Sequence, residues 1–218
     1  MKRVGLTGMA AMWAVAATAV AASPAVAALP EFSNTGITFS GTAGAGTLET
    51  KSGTKVTCTA GKSTGTITGV KTVSKIVITE TGCKSSGFAC QTPKAASGEL
   101  VTTELTGTLG DINASKKEVG VKLAPTAGGK FIEFECVGGI IKVQVTGSGI
   151  CPVTPINTET TKFNFTCKQV KGVQAVTRFE GEKEESLLKT SIGGGPAEQS
   201  ADECTTTITG TASTTIKR

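Results

Sequence analysis

The feature that most constrains the fold is a strict alternation of apolar and polar side chains along three segments. These segments are residues 131–136, 141–146 and 162–167. In the first of them, apolar residues occupy every second position, and Glu133 and Glu135 lie between them. A period of two indicates β-strands with one buried and one solvated face, which is typical of antiparallel sheets. The middle of the chain therefore predicts an antiparallel β structure.

We expect the three segments to be neighbouring strands that bury Phe134, Val143 and Phe165 on one shared face. Thr is the commonest residue of the chain, and Gly is also abundant. Thr favours pleated, half-exposed surfaces and Gly favours turns, so this Thr-rich chain predicts many short strands. The predicted fold is all-β, an antiparallel β-sandwich or barrel-like domain with roughly ten to thirteen strands. A short helix is expected only at residues 182–188.

Two segments of the sequence resemble each other. Residues 56–69 read VTCTAGKSTGTITG, and residues 134–147 read FECVGGIIKVQVTG. Both carry Cys at the third position, Gly at the sixth and a Thr-Gly ending. One interpretation is a duplicated strand–turn–strand unit that carries a cysteine, and the other is chance similarity in a Thr/Gly-rich chain. The sequence leaves both open.

The chain contains seven cysteines. In an exported protein, disulfides are the expected state of such residues. The disulfide candidates are Cys58, Cys83, Cys90, Cys136, Cys151 and Cys167. We expect a local Cys83–Cys90 bond across a six-residue, turn-rich insert, and a long Cys58–Cys136 bond between the two similar segments. The partners of Cys151, Cys167 and Cys204 stay open, and an odd count leaves one thiol over.

The N-terminal segment, residues 1–28, has the pattern of a secretory signal peptide. Lys2 and Arg3 precede a long uncharged apolar run, and a small-x-small site follows at residues 25–27. Such a segment is removed on export. The rest of the chain, residues 29–218, is then a single secreted β domain or two packed lobes, about 29–110 and 111–218. No integral membrane segment is expected after signal cleavage.

The composition argues against several classes of function. The chain has no His, the residue used most often for acid–base catalysis and a common zinc ligand, and it has no paired C-x-x-C spacing. The net charge of +5 is too mild and scattered for a nucleic-acid surface. We therefore expect no cofactor, no metal, no nucleic acid and no enzymatic activity. The strongest catalytic alternative is a glycosidase-like pair, Glu133 and Glu135, about 7 Å apart on one strand face.

A resemblance to a known group covers most of the chain after the signal segment. It rests on phrases such as FSGTAGAGTLET (39–50), GCKSSGFAC (82–90), GELVTTELTGTLG (98–110), FIEFECVGG (131–139) and PVTPINTETTKFNF (152–165). With these phrases the chain resembles a family of uncharacterised, exported, Thr/Gly-rich β proteins of high-GC Gram-positive bacteria. The resemblance implies a secreted β-rich protein and supplies no catalytic residues. Members of that family usually carry Gly in place of Cys151, and lack counterparts of Cys167 and Cys204.

Together these features predict a secreted or cell-envelope protein. Its expected role is that of a non-enzymatic structural or binding module with an unknown extracellular or envelope ligand. The alternative is a carboxylate-dependent hydrolase of an envelope glycan. A deep pocket that holds two close acidic side chains would favour the hydrolase.

Overall fold

A computed structural model of the protein describes residues 30–127 and 129–218. The predicted signal segment, residues 1–28, lies outside the described residues. The described part consists of strands and connecting loops and contains no helix. The predicted antiparallel all-β fold is therefore confirmed, whereas the short helix expected at residues 182–188 is wrong, because that stretch is an irregular loop that leads into a strand.

Twenty strands follow one another along the described part of the chain, more than the sequence predicted. Six of them are only two residues long, which no periodicity can detect. The strands are β1 (Glu31–Phe32), β2 (Ile37–Ala43), β3 (Gly46–Thr50), β4 (Lys55–Cys58), β5 (Ala60–Ile67), β6 (Thr72–Thr81), β7 (Lys84–Ser85), β8 (Phe88–Gln91), β9 (Leu100–Val101), β10 (Leu105–Asn113), β11 (Glu118–Pro125), β12 (Lys130–Cys136), β13 (Ile141–Gly147), β14 (Gly149–Thr154), β15 (Thr160–Cys167), β16 (Gln169–Val170), β17 (Val173–Gln174), β18 (Leu188–Ile192), β19 (Glu198–Thr214) and β20 (Ile216–Lys217).

Eight antiparallel strands close into a barrel, which we call the first ring. Its strands pair in the order β15-β14-β11-β10-β6-β5-β2-β19, and β19 pairs back to β15. The closing pairs extend along the strands, from Thr160 opposite Thr214 to Cys167 opposite Cys204. Closure leaves this sheet without free edges, which solves the problem of unpaired strand edges.

A second set of strands also closes on itself, and we call it the second ring. Its order is β19-β18-β13-β12-β8-β7-β4-β3, and β3 pairs back to β19. This ring is thin at β7, where a single residue pair, Thr57 opposite Lys84, joins β4 to β7. Two pairs join β8 to β12.

Strand β19 belongs to both rings and is the longest strand, with 17 residues. Its first part, residues 198–203, pairs with β18 and β3 of the second ring. Its second part, residues 204–214, pairs with β15 and β2 of the first ring. The two rings therefore meet along β19, close to residues 203 and 204.

Two clusters of buried apolar residues form the core. The first cluster lies in the first ring and includes Leu105, Val121 and Phe163. The second lies in the second ring and includes Phe134 and the four cysteines Cys58, Cys83, Cys90 and Cys136. Because each barrel has a small interior, its inward side chains are enough to fill most of it.

The three alternating segments are strands, but they are not all neighbours. Segments 131–136 and 141–146 form a hairpin in which Phe134 lies opposite Val143. Segment 162–167 lies in the first ring, where Phe165 packs against the first core cluster. The predicted shared face of Phe134, Val143 and Phe165 is therefore wrong. Alternation defines the two faces of one strand and carries no information about its partner.

The two similar segments also fold differently. Residues 134–147 form the β12–β13 hairpin, whose turn uses Gly138 and Gly139 at φ of +65° and +93°. Residues 56–69 instead continue from β4 in the second ring to β5 in the first, and these two strands do not pair. Ala60 stands where the other segment has Gly138, so the left-handed turn is disfavoured. The duplicated hairpin is therefore wrong.

Each ring takes strands from both sides of residue 110. The first ring contains residues 37–43 as well as 204–214, and the second contains residues 46–50 as well as 188–192. The observed rings thus do not coincide with lobes at about 29–110 and 111–218. In the described part of the chain, no helix is long and apolar enough to cross a membrane.

Candidate functional site

An interior cavity of about 170 Å³ is lined by residues of both core clusters. Its wall is largely apolar, with Phe163 contributed by the first ring and Phe134 by the second. Two acidic side chains, Glu80 and Asp202, belong to this lining together with the thiol of Cys204. We call Glu80, Asp202 and Cys204 the acid–thiol cluster. It is the chemically distinctive part of the cavity.

Strand β19 places Asp202 and Cys204 in the cavity at the junction of the rings. Side chains two residues apart point to the same face of a strand, so Asp202 and Cys204 share the inward face with Ile208. Ile208 is buried in the first core cluster. Asp202 lies opposite Leu48 of β3, and Cys204 lies opposite Cys167 of β15. The shared strand therefore brings both groups to the junction.

Strand β6 supplies Glu80 from the other side of the cavity. Glu80 is in phase with Ile76 and Ile78 and precedes Cys83, where the chain enters the second ring. Its Oε2 lies 3.4 Å from Sγ of Cys58. A carboxyl in phase with apolar residues has to face the interior, because that face of the strand is the buried one.

Burial sets the protonation of the acid–thiol cluster. Burial, with a smaller contribution from the charge of the neighbouring Asp202, raises the pKa of Glu80 to about 8. Burial also raises the pKa of Asp202, against a hydrogen bond that the Cys204 thiol donates. The pKa of the Cys204 thiol is raised by burial and by Asp202. Near neutral pH, Glu80 is therefore mostly protonated and Cys204 is a thiol.

Among the described residues, the carboxyls of the cavity lack a basic partner, although Asp202 accepts hydrogen bonds from the Cys204 thiol and from the Glu203 backbone. Asp202 is surrounded by protein, yet part of its surface remains open to the cavity. Among the described residues, neither Glu80 nor Asp202 forms a salt bridge. The buried Oγ of Ser63, which also lines the cavity, has no hydrogen-bond partner there. Unpaired polar groups in an apolar wall are costly, so the cavity is suited to a molecule with a polar end.

Four cysteines form a row across the second ring. In strand register, Cys58 lies opposite Cys83, Cys83 opposite Cys90, and Cys90 opposite Cys136. Disulfides join Cys58 to Cys83 and Cys90 to Cys136, with Cα–Cα distances of 4.0 and 4.1 Å. All four side chains belong to the second core cluster. The two bonds tie together its thinnest strands.

The predicted Cys83–Cys90 and Cys58–Cys136 bonds are both wrong. Cys90 N–H donates a hydrogen bond of 3.0 Å to the Cys83 carbonyl, so these two form a wide, hydrogen-bonded pair. Cys83 is bonded instead to Cys58, and Cys90 to Cys136, each across the narrow pair on its other side. Cys58 and Cys136 lie at opposite ends of the row, about 14 Å apart at the usual strand spacing.

A second row of cysteines crosses the first ring. Cys151 and Cys167 form the third disulfide, with a Cα–Cα distance of 4.6 Å. Cys204, next in the row, is the free cysteine of the chain. The six disulfide candidates of the sequence thus lie in three bonds, and the pairing that the sequence left open is Cys151 with Cys167.

Within the residues that the structure describes, two sets of side chains have ligand atoms close enough together to suggest a metal site. They are Cys58, Glu80 and Cys83, and Cys167, Asp202 and Cys204, each within 4.8 Å. Cys58, Cys83 and Cys167 are in disulfides, however. A thiolate, not a disulfide sulfur, is the ligand that binds metals. The oxidised chain therefore does not offer either set as a metal site.

The carboxylates singled out from the sequence lie elsewhere. Glu133 and Glu135 are on β12, and Glu133 forms an exposed salt bridge with Lys130. Across the hairpin they lie opposite Gln144 and Lys142. Neither residue lines the interior cavity. The two acidic groups that the fold brings together are Glu80 and Asp202, and the sequence analysis missed both.

Glu80 should make the protein less stable as the pH rises from about 5 to about 8. Its pKa in the folded protein, about 8, is above the ordinary value of 4.5 for a glutamate side chain. The folded state thus binds a proton that the unfolded state has released in this window, and stability is lost as that proton dissociates. Each pKa unit corresponds to about 1.4 kcal/mol. Glu80→Gln should therefore raise the free energy of unfolding at pH 8 by about 2–4 kcal/mol.

Urea denaturation of wild type and Glu80→Gln at several pH values measures this effect. The variant should have a flatter pH profile, with a residual slope from Asp202. Glu133→Gln is the matched control, because Lys130 lowers the pKa of the exposed Glu133. A wild-type profile that is flat from pH 5 to 8, or a Glu80→Gln protein less stable at pH 8, would contradict the assignment.

No protein-family model matches the chain, and neither the curated proteins nor the solved structures include a match.

Proposed function

We propose that this protein is an exported, non-enzymatic binding module of the cell envelope or extracellular space, which holds a small apolar amine in its interior cavity. The observation that carries the proposal is a pair of carboxyls, Glu80 and Asp202, in a largely apolar cavity. Among the described residues neither carboxyl forms a salt bridge, although Lys62 and Lys168 also belong to the lining. A bound ammonium group would supply the missing positive charge. It would also restore the charged form of Glu80, whose pKa burial raises to about 8.

The size of the cavity limits the ligand. A cavity of about 150 Å³ lined by aliphatic and aromatic side chains holds benzene, and this one measures about 170 Å³. A single ring or a short alkyl chain fills such a space, with the amine directed to Glu80 and Asp202. Barrels of eight strands hold one small ligand in this way in other proteins.

Export is supported by the disulfides and by the sequence of residues 1–28. Three disulfides are compatible with an oxidising compartment outside the cytoplasm. The mature chain is expected to begin near Ala28 or Leu29. The intact mass of the secreted protein tests this, and a mass that still includes Trp13 would reject the signal peptide.

Binding of three probes of similar shape tests the ligand class. Benzylamine, benzyl alcohol and phenylacetate differ mainly in the charge of the polar group. Isothermal titration should give the tightest binding for benzylamine, weaker binding for the alcohol and the weakest for the acid. Glu80→Gln/Asp202→Asn should remove the preference for the amine and keep binding of the alcohol, since the apolar wall is unchanged.

Glu133→Gln serves as the matched control, because this exposed carboxylate lies outside the cavity. The control should bind all three probes as the wild type does. Equal affinity of the wild type for the amine and the acid would reject the carboxyls as the recognition element. The absence of binding for all three probes would reject the cavity as a ligand site.

A glycan hydrolase is the alternative, and the close pair Glu80 and Asp202 is the observation in its favour. The lining is against it, because a sugar ring needs several polar partners and this wall is largely apolar. The two functions predict different results for Asp202→Asn. A hydrolase would release less sugar from purified cell-wall glycan with this variant than with the wild type, whereas a binding module releases none with either protein.

A further inference from the structure

Three cysteines lie in register on three adjacent strands of the first ring. Cys151 is on β14, Cys167 on β15 and Cys204 on β19. The β15–β19 register places Cys167 directly opposite Cys204. The β14–β15 register, read from Val153 opposite Phe165, places Cys151 opposite Cys167. Cys167 therefore has a cysteine on each side.

The free thiol is close to the disulfide. The Sγ atoms of Cys204 and Cys167 and a carboxylate oxygen of Asp202 lie within 4.8 Å of one another. The Cys204 thiol donates a hydrogen bond to Asp202. A thiol, a disulfide and a proton acceptor are the three components that thiol–disulfide exchange requires.

We propose that Cys204 and the Cys151–Cys167 disulfide form an internal exchange site, in which the disulfide moves between β14–β15 and β15–β19. The Cys204 thiol transfers its proton to Asp202, and the Cys204 thiolate attacks Sγ of Cys167. The Cys167–Cys204 bond forms as the Cys151–Cys167 bond breaks. The Cys151 thiolate leaves and takes the proton, so that one disulfide and one thiol are present before and after. No external oxidant or reductant is needed.

The geometry of the strands determines which isomer dominates. A residue on a central antiparallel strand forms a narrow pair with one neighbour and a wide, hydrogen-bonded pair with the other. Cys151 and Cys167, at 4.6 Å between Cα atoms, are the narrow pair. Cys167 and Cys204 are then the wide pair, at about 5.5 Å, which is still within the usual range for a disulfide. The structure holds the Cys151–Cys167 bond, so Cys167–Cys204 is the minor isomer.

The surroundings make the exchange slow. Burial and the adjacent carboxyl of Asp202 raise the pKa of the Cys204 thiol, so little thiolate is present. Glu80 acts in the same direction from β6. This exchange depends on the cysteine row alone and does not require the cavity to bind an amine.

Tryptic peptide mapping distinguishes the isomers, because all seven cysteines lie on different tryptic peptides. Cys151 is in peptide 143–162, Cys167 in 163–168 and Cys204 in 190–217. In Cys151→Ser, oxidised glutathione should produce a bond between peptides 163–168 and 190–217, with release of two reduced glutathione molecules. Digestion in mild acid prevents rearrangement before the analysis.

Two further variants act as controls. Cys204→Ser should keep the Cys151–Cys167 bond, since its narrow pair is intact. Cys167→Ser should leave Cys151 and Cys204 unlinked, because they are two strands apart, about 9–10 Å, and out of reach of a disulfide. Unlinked Cys167 and Cys204 in a folded Cys151→Ser protein would overturn the proposal.

The wild-type protein provides a measurement that needs no substitution in the row. Incubation with iodoacetamide should trap the released Cys151 thiol irreversibly, so that alkylated peptide 143–162 and the 163–168/190–217 disulfide accumulate together. Alkylation of Cys204 alone, with the Cys151–Cys167 bond intact, would overturn the proposal even if Cys151→Ser fails to fold.

Discussion

Phe134→Ala should lower the free energy of unfolding by about 3–5 kcal/mol. Phe134 is 1% exposed, and it lies in the second core cluster between the disulfide-bonded cysteines and Val143. Removal of its ring leaves a void that the surrounding strands cannot fill, because the disulfides hold β4, β7, β8 and β12 at fixed spacing. The lost burial and the void both destabilise the folded state.

Urea denaturation monitored by far-UV circular dichroism gives the comparison. Phe88→Ala is the matched control: it removes the same ring from β8, where Phe88 is 55% exposed, and should cost less than about 0.5 kcal/mol. Lys142→Ala and Asn164→Ala, on exposed strand faces, should cost equally little. Equal urea denaturation midpoints for Phe134→Ala and Phe88→Ala would show that burial of Phe134 does not stabilise the second core cluster.

Removal of the Cys90–Cys136 disulfide should have the second large effect, about 4 kcal/mol by the chain-entropy relation. The bond closes a loop with a sequence separation of 46 residues, the longest of the three. It also supports the junction of β8 and β12, where only two residue pairs close the second ring. The variant Cys90→Ala/Cys136→Ala avoids free thiols, and its denaturation midpoint is compared with that of the wild type.

The other two disulfides provide internal controls for this result. The relation gives about 3.5 kcal/mol for Cys58–Cys83 and about 3 kcal/mol for Cys151–Cys167, whose sequence separations are 25 and 16. The expected order of loss follows these separations. A smaller loss for Cys90→Ala/Cys136→Ala than for Cys151→Ala/Cys167→Ala would show that chain entropy does not govern the stabilisation.

The sequence predicts strands well here and predicts their partners poorly. Alternation at 131–136 and 141–146 identified β12 and β13, and the Gly138-Gly139 turn makes them a hairpin. The same alternation at 162–167 does not predict to which ring β15 belongs. Its place depends on strand pairing with residues that are distant in sequence. The disulfides show the same limit. Short spacing favoured Cys83–Cys90, whereas register across β4, β7, β8 and β12 decides the pairing.

The acid–thiol cluster carried a local signal that the sequence analysis did not use. Glu80 follows Ile76 and Ile78 at alternate positions of β6, and Asp202 precedes Ile208 in the same phase of β19. A carboxyl in phase with buried apolar residues points inward wherever the strand keeps its register. The alternation within one strand does not predict that these two carboxyls lie close together. Their proximity depends on the path of β19 between the rings.

The shared strand β19 also fixes the order in which the fold can be completed. All the other strands of both rings precede it in the chain, and each ring closes only when β19 is in place. During synthesis, β2 and β15, and likewise β3 and β18, stay unpaired on the sides that β19 later covers. Such open edges pair readily with other chains. The protein therefore reaches its closed form only after its whole β region has emerged, and both rings stay open to wrong strand pairing until then.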